Sequence, residues 1–292
     1  MPASPLASPT ATADVLRAHG LYTKKRLGQH FLVDDNVIAR ILELAALSPS
    51  DVALEVGPGI GTLTVALCSA AGAVVAIEHD ADLLPVLAQT TAACPRIAVI
   101  EADAVAVSAQ RIAEPFGPPT ALVANLPYQV AATVVLRYFE MLPTLRHATV
   151  MVQAEVADRM AASPGGKEYG AYTVKLRLRA QAAGRFAVAR TCFMPPPRVD
   201  SAVIRLERRE PGTAPADVAH AAAAEGIIAA ASRVADAAFA QRRKTIRNSL
   251  RAKLDVPVDR LDAALEAAGI DPGCRAETLD PEAFVALAQA LG

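Results

Sequence analysis

Short apolar segments alternate with helical segments through the first half of the chain, and this alternation restricts the fold more than any other feature. Each apolar segment is five or six residues long, as in VALEV (52–56) and AVVAIE (73–78). A strand that is apolar on both faces is buried on both faces, which is typical of a parallel sheet covered by helices. The sequence therefore predicts an α/β domain with parallel strands at 52–56, 73–78, 97–101, 120–125 and 148–153.

Two later segments, 171–181 and 201–209, alternate between apolar and polar residues and predict antiparallel edge strands. A Pro- and Gly-rich break, REPGTAPAD, follows at 209–217. Beyond this break the sequence is Ala-rich and predicts only helices, at 218–231, 232–254, 259–268 and 281–291.

These patterns predict two domains, an α/β domain over residues 11–208 and a small all-helical domain over residues 209–292. Residues 1–10 are rich in Pro, Ser, Ala and Thr, and we predict that they form a disordered tail.

The charges of the chain are nearly balanced, with 29 Lys and Arg residues against 30 Asp and Glu residues. A polyanionic partner must therefore bind a local basic patch. The sequence has neither a signal peptide pattern nor an apolar segment long enough to span a membrane. Its histidines are scattered, and its cysteines lack a C-x-x-C pair, as is usual for reduced thiols. We predict a cytoplasmic protein without a metal site, in which four thiols stay free: Cys68, Cys94, Cys192 and Cys274.

A glycine-rich turn, in LEVGPGIGTLT, follows the first predicted strand. Gly57, Gly59 and Gly61 permit positive φ angles and a close approach of a ligand to the backbone. Glu78 ends the next strand, where a carboxylate can bind both hydroxyls of a ribose. The spacing is G-x-G-x-G, unlike the dinucleotide motif G-x-G-x-x-G, and no phosphate-loop Lys follows. A nucleoside without phosphates fits best, and S-adenosylmethionine is the leading candidate.

Two further acids belong to the same predicted site. Glu55 precedes the glycines and either orients the turn or contacts the methionine end of the ligand. Asp103 ends the third strand, where its carboxylate can accept a hydrogen bond from the adenine amine of the cofactor. The alternatives are a glycine turn that binds nothing, an Asp103 that only caps a helix, and a nicotinamide oxidoreductase, which the glycine spacing disfavours.

The fourth strand ends in the tetrapeptide NLPY beside the predicted cofactor, so Asn125 is also expected in the cofactor site, facing the methyl group. An adenine amine is a poor nucleophile because its lone pair is delocalised, so an enzyme must accept hydrogen bonds from it. The amide oxygen of Asn125 and the carbonyl of Leu126 are suitable acceptors, and Pro127 restrains that carbonyl. Tyr128 offers a ring face on which a target base can stack. The alternative is a structural turn with a buried Tyr.

The segment 232–254 predicts an amphipathic helix with one basic face. Arg243, Arg247 and Arg251 follow each other at intervals of four residues, as expected for an RNA-backbone contact. The predicted patch also includes Arg242, Lys244, Lys24, Lys25 and Arg26. The alternatives are a solvated helix face and an interface between the two domains.

Several motifs together resemble the family of bacterial small-subunit (16S) rRNA adenine N6,N6-dimethyltransferases. Besides EVGPGIG, Glu78, Asp103 and NLPY, they are KKRLGQHFLVD, KEYGAYTV, FMPPPRVDSAV and FAQRRKTIRNSL. The resemblance extends from about residue 14 to the end of the chain.

The resemblance implies a Rossmann-like class I methyltransferase with a seven-stranded, mostly parallel sheet and a helical domain that docks on rRNA. It implies that S-adenosylmethionine methylates N6 of two adjacent adenosines near the 3′ end of 16S rRNA, twice each, within a small-subunit assembly intermediate. His30 and Leu32 would contact the cofactor, although Asn is more usual at position 30, and Phe193 would face Tyr128 across the target base. We expect a monomer.

Two relatives of this family are alternative interpretations. One is a large-subunit rRNA adenine methyltransferase of the macrolide-resistance type, which FAQRRKTIRNSL and KEYGAYTV disfavour. The other is a non-catalytic RNA-binding assembly factor on the same fold, which the intact NLPY and Glu78 disfavour.

Overall fold

A computed structural model describes residues 3–22, 29–209, 218–241 and 243–292, with backbone alone at 218–223. The chain divides into two compact units. The first contains residues up to 157 together with 182–208, and the second contains 158–181 together with 209–292. The second unit thus combines the residues from 209 onward with the earlier segment 158–181, which the sequence patterns had assigned to the α/β domain. The reason is that Tyr169 and Val174 are buried in the hydrophobic cluster of this unit.

The main sheet has seven strands. They are β2 (Val52–Val56), β3 (Ala73–Glu78), β4 (Ile97–Glu101), β5 (Ala121–Asn125), β6 (His147–Gln153), β7 (Ala180–Val188) and β9 (Ser201–Arg208). Their order in the sheet is β4-β3-β2-β5-β6-β9-β7. The pairs β2–β3, β3–β4, β2–β5 and β5–β6 are parallel, and β6–β9 is antiparallel. This mostly parallel seven-stranded sheet confirms the predicted fold class.

Helices flank the strands, as the alternating pattern predicts, and a two-stranded antiparallel sheet lies apart from the main sheet. The small sheet consists of β1 (Phe31–Leu32) and β8 (Phe193–Met194). The helices up to residue 161 are α1 (Pro9–Ala18), α2 (Asp35–Ala45), α3 (Thr62–Ala70), α4 (Leu84–Thr90), α5 (Ala109–Ala113), α6 (Ala131–Met141) and α7 (Ala154–Ala161).

The predicted strand at 171–181 is wrong. Residues Ala171–Arg177 form helix α8, and the strand β7 begins only at Ala180. The helix buries Thr173, Val174 and Leu176. The spacing of these buried residues also occurs within the alternating sequence pattern, so the pattern did not distinguish a helix from a strand. The strand predicted at 201–209 is present as β9 and is antiparallel, but it lies inside the sheet, and β7 occupies the edge.

The predicted disordered tail is wrong for the described residues 3–10. The backbone amides of Ala3 and Ser4 donate to the carboxylate of Asp35 at 3.0 and 2.8 Å. Ala7 is buried, and the hydroxyl of Ser8 caps α1 by accepting from the Ala11 amide. This segment therefore packs against the first unit through contacts that its composition does not reveal.

The second unit is helical around one apolar cluster that contains Ile246, Leu250 and Phe284. The predicted helix at 232–254 is wrong, because the first helix runs without a break to Phe239 and the chain then turns. The Ile246 amide donates to the Cys274 carbonyl at 2.8 Å, which holds the start of the next helix. The helices after α8 are α9 (Val218–Phe239), α10 (Ile246–Arg251), α11 (Val258–Ala267) and α12 (Pro281–Leu291).

A buried carboxylate stabilises the amino-terminal edge of the sheet, opposite the predicted site. Asp51 is 2% exposed and accepts hydrogen bonds from the Ser48 amide at 2.9 Å and the Thr120 hydroxyl at 2.5 Å. It also forms an ion pair with Arg146. Burial alone would raise the pKa of Asp51, but the hydrogen bonds and the Arg146 charge outweigh it and lower this pKa to about 2.

We expect Asp51→Asn to lower the free energy of unfolding by about 2 kcal/mol near pH 6, since one unit of pKa difference is worth about 1.4 kcal/mol. The folded pKa lies below the ordinary value of 3.8, so this stabilisation is complete above that value and is lost as the pH falls towards 2. Urea denaturation should show the difference shrinking between about pH 6 and about pH 3. A difference in unfolding free energy that does not change with pH would contradict the role assigned to Asp51. The control is Asp14→Asn, because Asp14 lies in an exposed ion pair.

Candidate active site

A cavity of about 350 Å³ opens at the carboxyl ends of four neighbouring parallel strands. The ends of β2, β3 and β5, the residues after β4, and the segment 29–32 line it. Of the predicted site residues, the cavity wall contains His30, Leu32, Glu55, Gly57, Gly59, Glu78, Asp103, Asn125, Leu126, Pro127 and Tyr128. The fold therefore brings residues from five separate segments of the sequence to one place.

The glycine turn has the backbone that the sequence suggests. Gly57, Gly59 and Gly61 have φ angles of 70°, 62° and 89°. A Cβ atom on Gly59 would come within 3.1 Å of the Phe31 ring, so a side chain there would crowd this ring in addition to straining the backbone at positive φ. Gly61 is not among the residues that line the cavity, and it forms the N-cap of α3.

Glu78 fastens this turn to the end of β3. Its Oε2 accepts a hydrogen bond from the Gly59 amide at 3.2 Å, and its Oε1 accepts from the His79 and Asp80 amides at 2.8 Å each. The side chain is buried, and burial raises the pKa of Glu78 even though the three amide donors oppose the shift. The predicted ribose-binding acid therefore also holds the glycine-rich turn in place through hydrogen bonds.

Glu55 is a buried acid with one unused oxygen. It is 1% exposed, and its Oε2 has no hydrogen-bond partner among the described residues. Burial, together with the nearby charge of Glu78, raises the pKa of Glu55 to about 8, so the carboxyl group is mostly protonated at neutral pH. An unpartnered buried polar atom in the cavity wall fits a site built for a polar ligand.

Asp103 caps the turn that follows β4, rather than a helix, and also lines the cavity. Its Oδ1 accepts from the Val105 amide at 2.8 Å, while the side chain remains exposed. The other carboxylate oxygen has no hydrogen-bond partner in the described part of the chain. Both roles are therefore compatible in one residue.

The orientation of the Asn125 amide follows from its hydrogen bond. Its Nδ2 donates to the backbone carbonyl of His30 at 3.3 Å, so Oδ1 is left as a potential acceptor. The Leu126 amide donates to the Met151 carbonyl at 3.0 Å, which holds the backbone at the end of β5. Among the described residues, no hydrogen bond reaches the Leu126 carbonyl. The two predicted acceptors are thus unoccupied by other residues of the described structure.

Tyr128 lies beside these acceptors with its ring against an aromatic neighbour. Its hydroxyl and the Ser201 hydroxyl are 2.6 Å apart. Its ring faces the imidazole of His30, with centroids 5.8 Å apart and planes at 24°. The predicted neighbour Phe193 lies elsewhere, 3% exposed in the apolar cluster that also contains Leu32. Phe193 is therefore absent from the cavity wall of this structure, in which β1 and β8 pair it with Leu32, and its place opposite Tyr128 across a target base stays a prediction.

The sequence arguments missed several polar residues of the cavity wall, among them Gln29 and Asp80. Gln29 donates from its side-chain amide to Asp80 at 2.8 Å, and both residues line the cavity. Asp80 could have been predicted from its position two residues after Glu78, the acid that ends β3. Gln29 lies in an irregular segment, where no periodicity could reveal it.

The predicted basic patch is only partly described. Lys24, Lys25, Arg26 and Arg242 lie outside the described residues. The other members belong to the second unit, but they do not form one helical stripe, because Arg243 and Lys244 precede α10. Arg247 is bound to Asp262 through two hydrogen bonds of 2.5 and 2.6 Å. The exposed cations of the patch are therefore Arg243, Lys244 and Arg251.

None of the helices among the described residues combines the length and the apolar composition that a bilayer crossing requires. No group of three or more His, Cys, Asp or Glu side chains in this part of the chain is arranged to hold a metal ion.

Comparisons with known proteins agree with these observations. A curated relative from Rhodococcus erythropolis, the ribosomal RNA small subunit methyltransferase A, is 43% identical over 97% of this chain and 93% of its own. The solved 23S rRNA methyltransferase ErmE is 29% identical with a TM-score of 0.63, over 89% of this chain and 99% of its own. A dimethyladenosine transferase from Plasmodium falciparum shares the fold, with 22% identity and a TM-score of 0.72 over 88% and 96% of the two chains.

A family model described as "Ribosomal RNA adenine dimethylase" matches residues 20–291 of this chain. This match covers both compact units and confirms the family that the motifs resemble. The chain belongs to the ribosomal RNA adenine dimethylase family, whose methyl donor is S-adenosylmethionine.

Proposed function

We propose that this protein methylates N6 of two adjacent adenosines near the 3′ end of 16S rRNA, placing two methyl groups on each. The observation that carries the proposal is the pair of unoccupied acceptors at the end of β5, Oδ1 of Asn125 and the Leu126 carbonyl, in the wall of the cofactor cavity. The relatives named as small-subunit methyltransferases supply the RNA class.

The cavity fits the cofactor of the family. Bound S-adenosylmethionine supplies an electrophilic methyl carbon on a positively charged sulfur. In this proposal, Glu78 at the end of β3 binds the ribose and Asp103 accepts from the adenine amine, and both residues line the cavity. Glu55 offers its unpartnered carboxyl oxygen below the glycine turn. His30 and Leu32 complete the wall from the small sheet side.

The Asn125 amide and the Leu126 carbonyl act on the target amine. By accepting its two N–H groups, they favour a tetrahedral nitrogen whose lone pair is free to react. Neither acceptor carries a full charge, so neither traps a proton, and catalysis is positioning and polarisation by fixed dipoles. An amine with one methyl group keeps one N–H, which either acceptor can bind, so the same site serves the second methylation.

The target base must leave its helix to reach this site, since an amine stacked within an RNA helix is inaccessible. Tyr128 provides the ring on which the extruded base stacks, worth roughly 1–3 kcal/mol. The hydrogen bond to Ser201 restrains the phenol ring. Pro127 restrains the backbone between this ring and the acceptors.

The alternative substrate is large-subunit rRNA, since the ErmE structure has the same fold. The identity of 43% to a small-subunit enzyme against 29% to ErmE favours the small subunit. Transfer of labelled methyl groups to isolated small and large subunits distinguishes the two. Label on large-subunit RNA alone would overturn the proposal, and a lack of label on either, with cofactor bound, would favour a non-catalytic assembly factor.

The exposed cations Arg243 and Arg251 of the second unit are proposed contacts to the RNA backbone. Replacing both with Glu should weaken RNA binding and reduce the slope of log affinity against log salt by about 1–2, since each lost phosphate contact removes about 0.7–0.9. Filter binding of small subunits at several salt concentrations measures this. Arg17→Glu, at an exposed ion pair of the first unit, is the control. An unchanged slope would assign these arginines to a solvated surface.

The remaining proposals concern the setting of the reaction. The substrate is a small-subunit assembly intermediate, the enzyme acts as a monomer, and the reaction takes place in the cytoplasm, where bacterial subunits mature. Lys24, Lys25, Arg26 and Arg242 extend the RNA contact in this proposal. Arg247 is assigned to the fold of the second unit, because Asp262 already engages its guanidinium group.

A further inference from the structure

We propose that the first unit has a second ligand site, which binds a phosphate group at the amino-terminal edge of the main sheet. The site is a cavity of about 280 Å³ beside the start of β6 and the end of β9. It lies at the opposite edge of the sheet from the cofactor cavity, so it is independent of the methyl transfer. The residues that line it are Ala46, Arg146, His147, Arg205, Glu207 and Arg208.

The pairing of β6 with β9 explains why these side chains meet. His147 lies opposite Glu207, and Thr149 lies opposite Arg205. Successive residues of a strand point to opposite faces of the sheet, whereas paired residues share a face. His147, Arg205 and Glu207 therefore project from one face, where the carboxyl end of α2 contributes Ala46 to the same cavity.

The cavity has more positive than negative charge around it. Three arginines line it, and two carboxylates oppose them. Glu207 accepts from Nε of Arg205 at 3.0 Å, and the buried Asp51 forms an ion pair with Arg146. Three positive charges against two negative ones leave an excess of one positive charge, which attracts an anion.

His147 is a buried polar residue of the wall that the methyl transfer does not use. It is 5% exposed, and its Nδ1 has no hydrogen-bond partner among the described residues. Burial, reinforced by the charge of Arg205, lowers the pKa of His147 to about 4, so the ring is neutral at pH 7. A neutral imidazole can donate from Nδ1. An unpartnered buried donor in a cavity wall indicates a polar ligand.

Two of the arginines also have nitrogen atoms that the fold does not use. Arg205 donates from Nη1 to the carbonyls of Leu44 and Ala45, at 2.7 and 2.6 Å. Arg146 donates from Nη2 to Asp51. In the described part of the chain, no hydrogen bond involves Nη2 of Arg205 or Nη1 of Arg146. The contacts that hold the two side chains in place therefore leave donors for a ligand.

A phosphate group fits these donors better than a neutral ligand does. Guanidinium groups bind phosphate oxygens through charge-assisted hydrogen bonds, and the imidazole adds a neutral donor. The cavity is several times larger than the roughly 30 Å³ that one water occupies, so it also admits part of the molecule that carries the phosphate. Two sources supply such a group, a free phosphorylated molecule and the RNA backbone.

Inorganic phosphate is the probe that tests the binding itself. It is titrated into the full-length ¹⁵N-labelled protein, with sodium chloride at equal ionic strength as the reference. Phosphate should shift the backbone amide signals of residues 146–148 and 205–208 saturably. A Kd of about 1 mM is expected from two or three charge-assisted hydrogen bonds.

Two variants should change this affinity in opposite directions. Glu207→Gln removes a negative charge but keeps an oxygen for Nε of Arg205, and it should bind phosphate about 3- to 10-fold more tightly. His147→Phe keeps a ring but lacks the Nδ1 donor, and it should bind about 5- to 10-fold more weakly. Arg17→Lys, at an exposed ion pair, is the control and should bind like the wild type.

The source of the phosphate group follows from the affinity for small subunits. If the RNA backbone supplies it, His147→Phe lowers this affinity by about the factor found with inorganic phosphate. If a free phosphorylated molecule supplies it, His147→Phe binds small subunits like the wild type but has lost affinity for phosphate. Both results support the site, and they distinguish its two sources.

Three outcomes would overturn the inference. Amide signals that respond equally to chloride and phosphate would show only ionic screening, and signals that do not saturate would show no site. Equal phosphate affinities in the wild type, Glu207→Gln and His147→Phe would place the bound phosphate outside this cavity. A wild type that binds phosphate here but labels no rRNA would support this site and overturn only the proposed function.

Discussion

Asn125→Ala should lower the rate of methyl transfer by about 10²- to 10³-fold, the usual cost of removing one preorganised polar group from an active site. The variant lacks the Oδ1 acceptor, so one N–H of the target amine loses its partner at the moment of reaction. It also lacks the hydrogen bond to the His30 carbonyl. Cofactor affinity should change little, because Glu78 and the glycine turn are untouched. Single-turnover kinetics and calorimetry with S-adenosylhomocysteine measure the two quantities separately.

Asn125→Asp is the matched control for this prediction. It keeps an acceptor of the same shape but has no N–H for the His30 carbonyl, so its rate should lie between those of the wild type and Asn125→Ala. A collapse of S-adenosylhomocysteine affinity in Asn125→Ala, parallel to the loss of rate, would contradict the assigned role and make Asn125 a cofactor ligand.

Glu78→Ala should lower the affinity for S-adenosylhomocysteine by about 100-fold, since it removes the carboxylate acceptor of the proposed ribose contact, and a hydrogen bond to a charged group is worth roughly 1.5–3 kcal/mol. The substitution removes the acceptor for three backbone amides, those of Gly59, His79 and Asp80. The substitution therefore releases the glycine-rich turn and removes the proposed ribose contact. Calorimetry and thermal melting should therefore show a loss of affinity together with a lower Tm.

Glu78→Gln separates these two effects. Its side-chain carbonyl can still accept from the His79 and Asp80 amides, but its amide group cannot accept from the Gly59 amide. We expect a Tm near that of the wild type and an affinity between those of the wild type and Glu78→Ala. If Glu78→Ala bound S-adenosylhomocysteine as tightly as the wild type, Glu78 would not be a cofactor ligand.

The parallel strands and the residues at their ends could be predicted from the sequence, because both follow from local rules. A buried strand is a continuous apolar run, and the chain connectivity of an α/β sheet brings the carboxyl ends of such strands to one edge. Glu55, Glu78, Asp103 and Asn125 could thus be assigned to one site before their separations were known. The alternation of strands and helices can be recognised from the local sequence, without information about residues that are distant along the chain.

The errors came from contacts between residues distant in the sequence. The break before α10 depends on the Ile246 amide meeting the Cys274 carbonyl. The ordered start of the chain depends on Asp35 accepting from Ala3 and Ser4. The stack of His30 on Tyr128 likewise joins residues almost a hundred positions apart. Sequence periodicity has no access to such pairs.

The central claim is tested most directly by labelled methyl transfer to small subunits isolated from cells that lack this modification, followed by mapping of the labelled bases. The account predicts close to four methyl groups per subunit, on N6 of two neighbouring adenosines near the 3′ end of the 16S rRNA. Label at any other atom or on non-adjacent bases, or no label from a protein that binds S-adenosylhomocysteine, would contradict it.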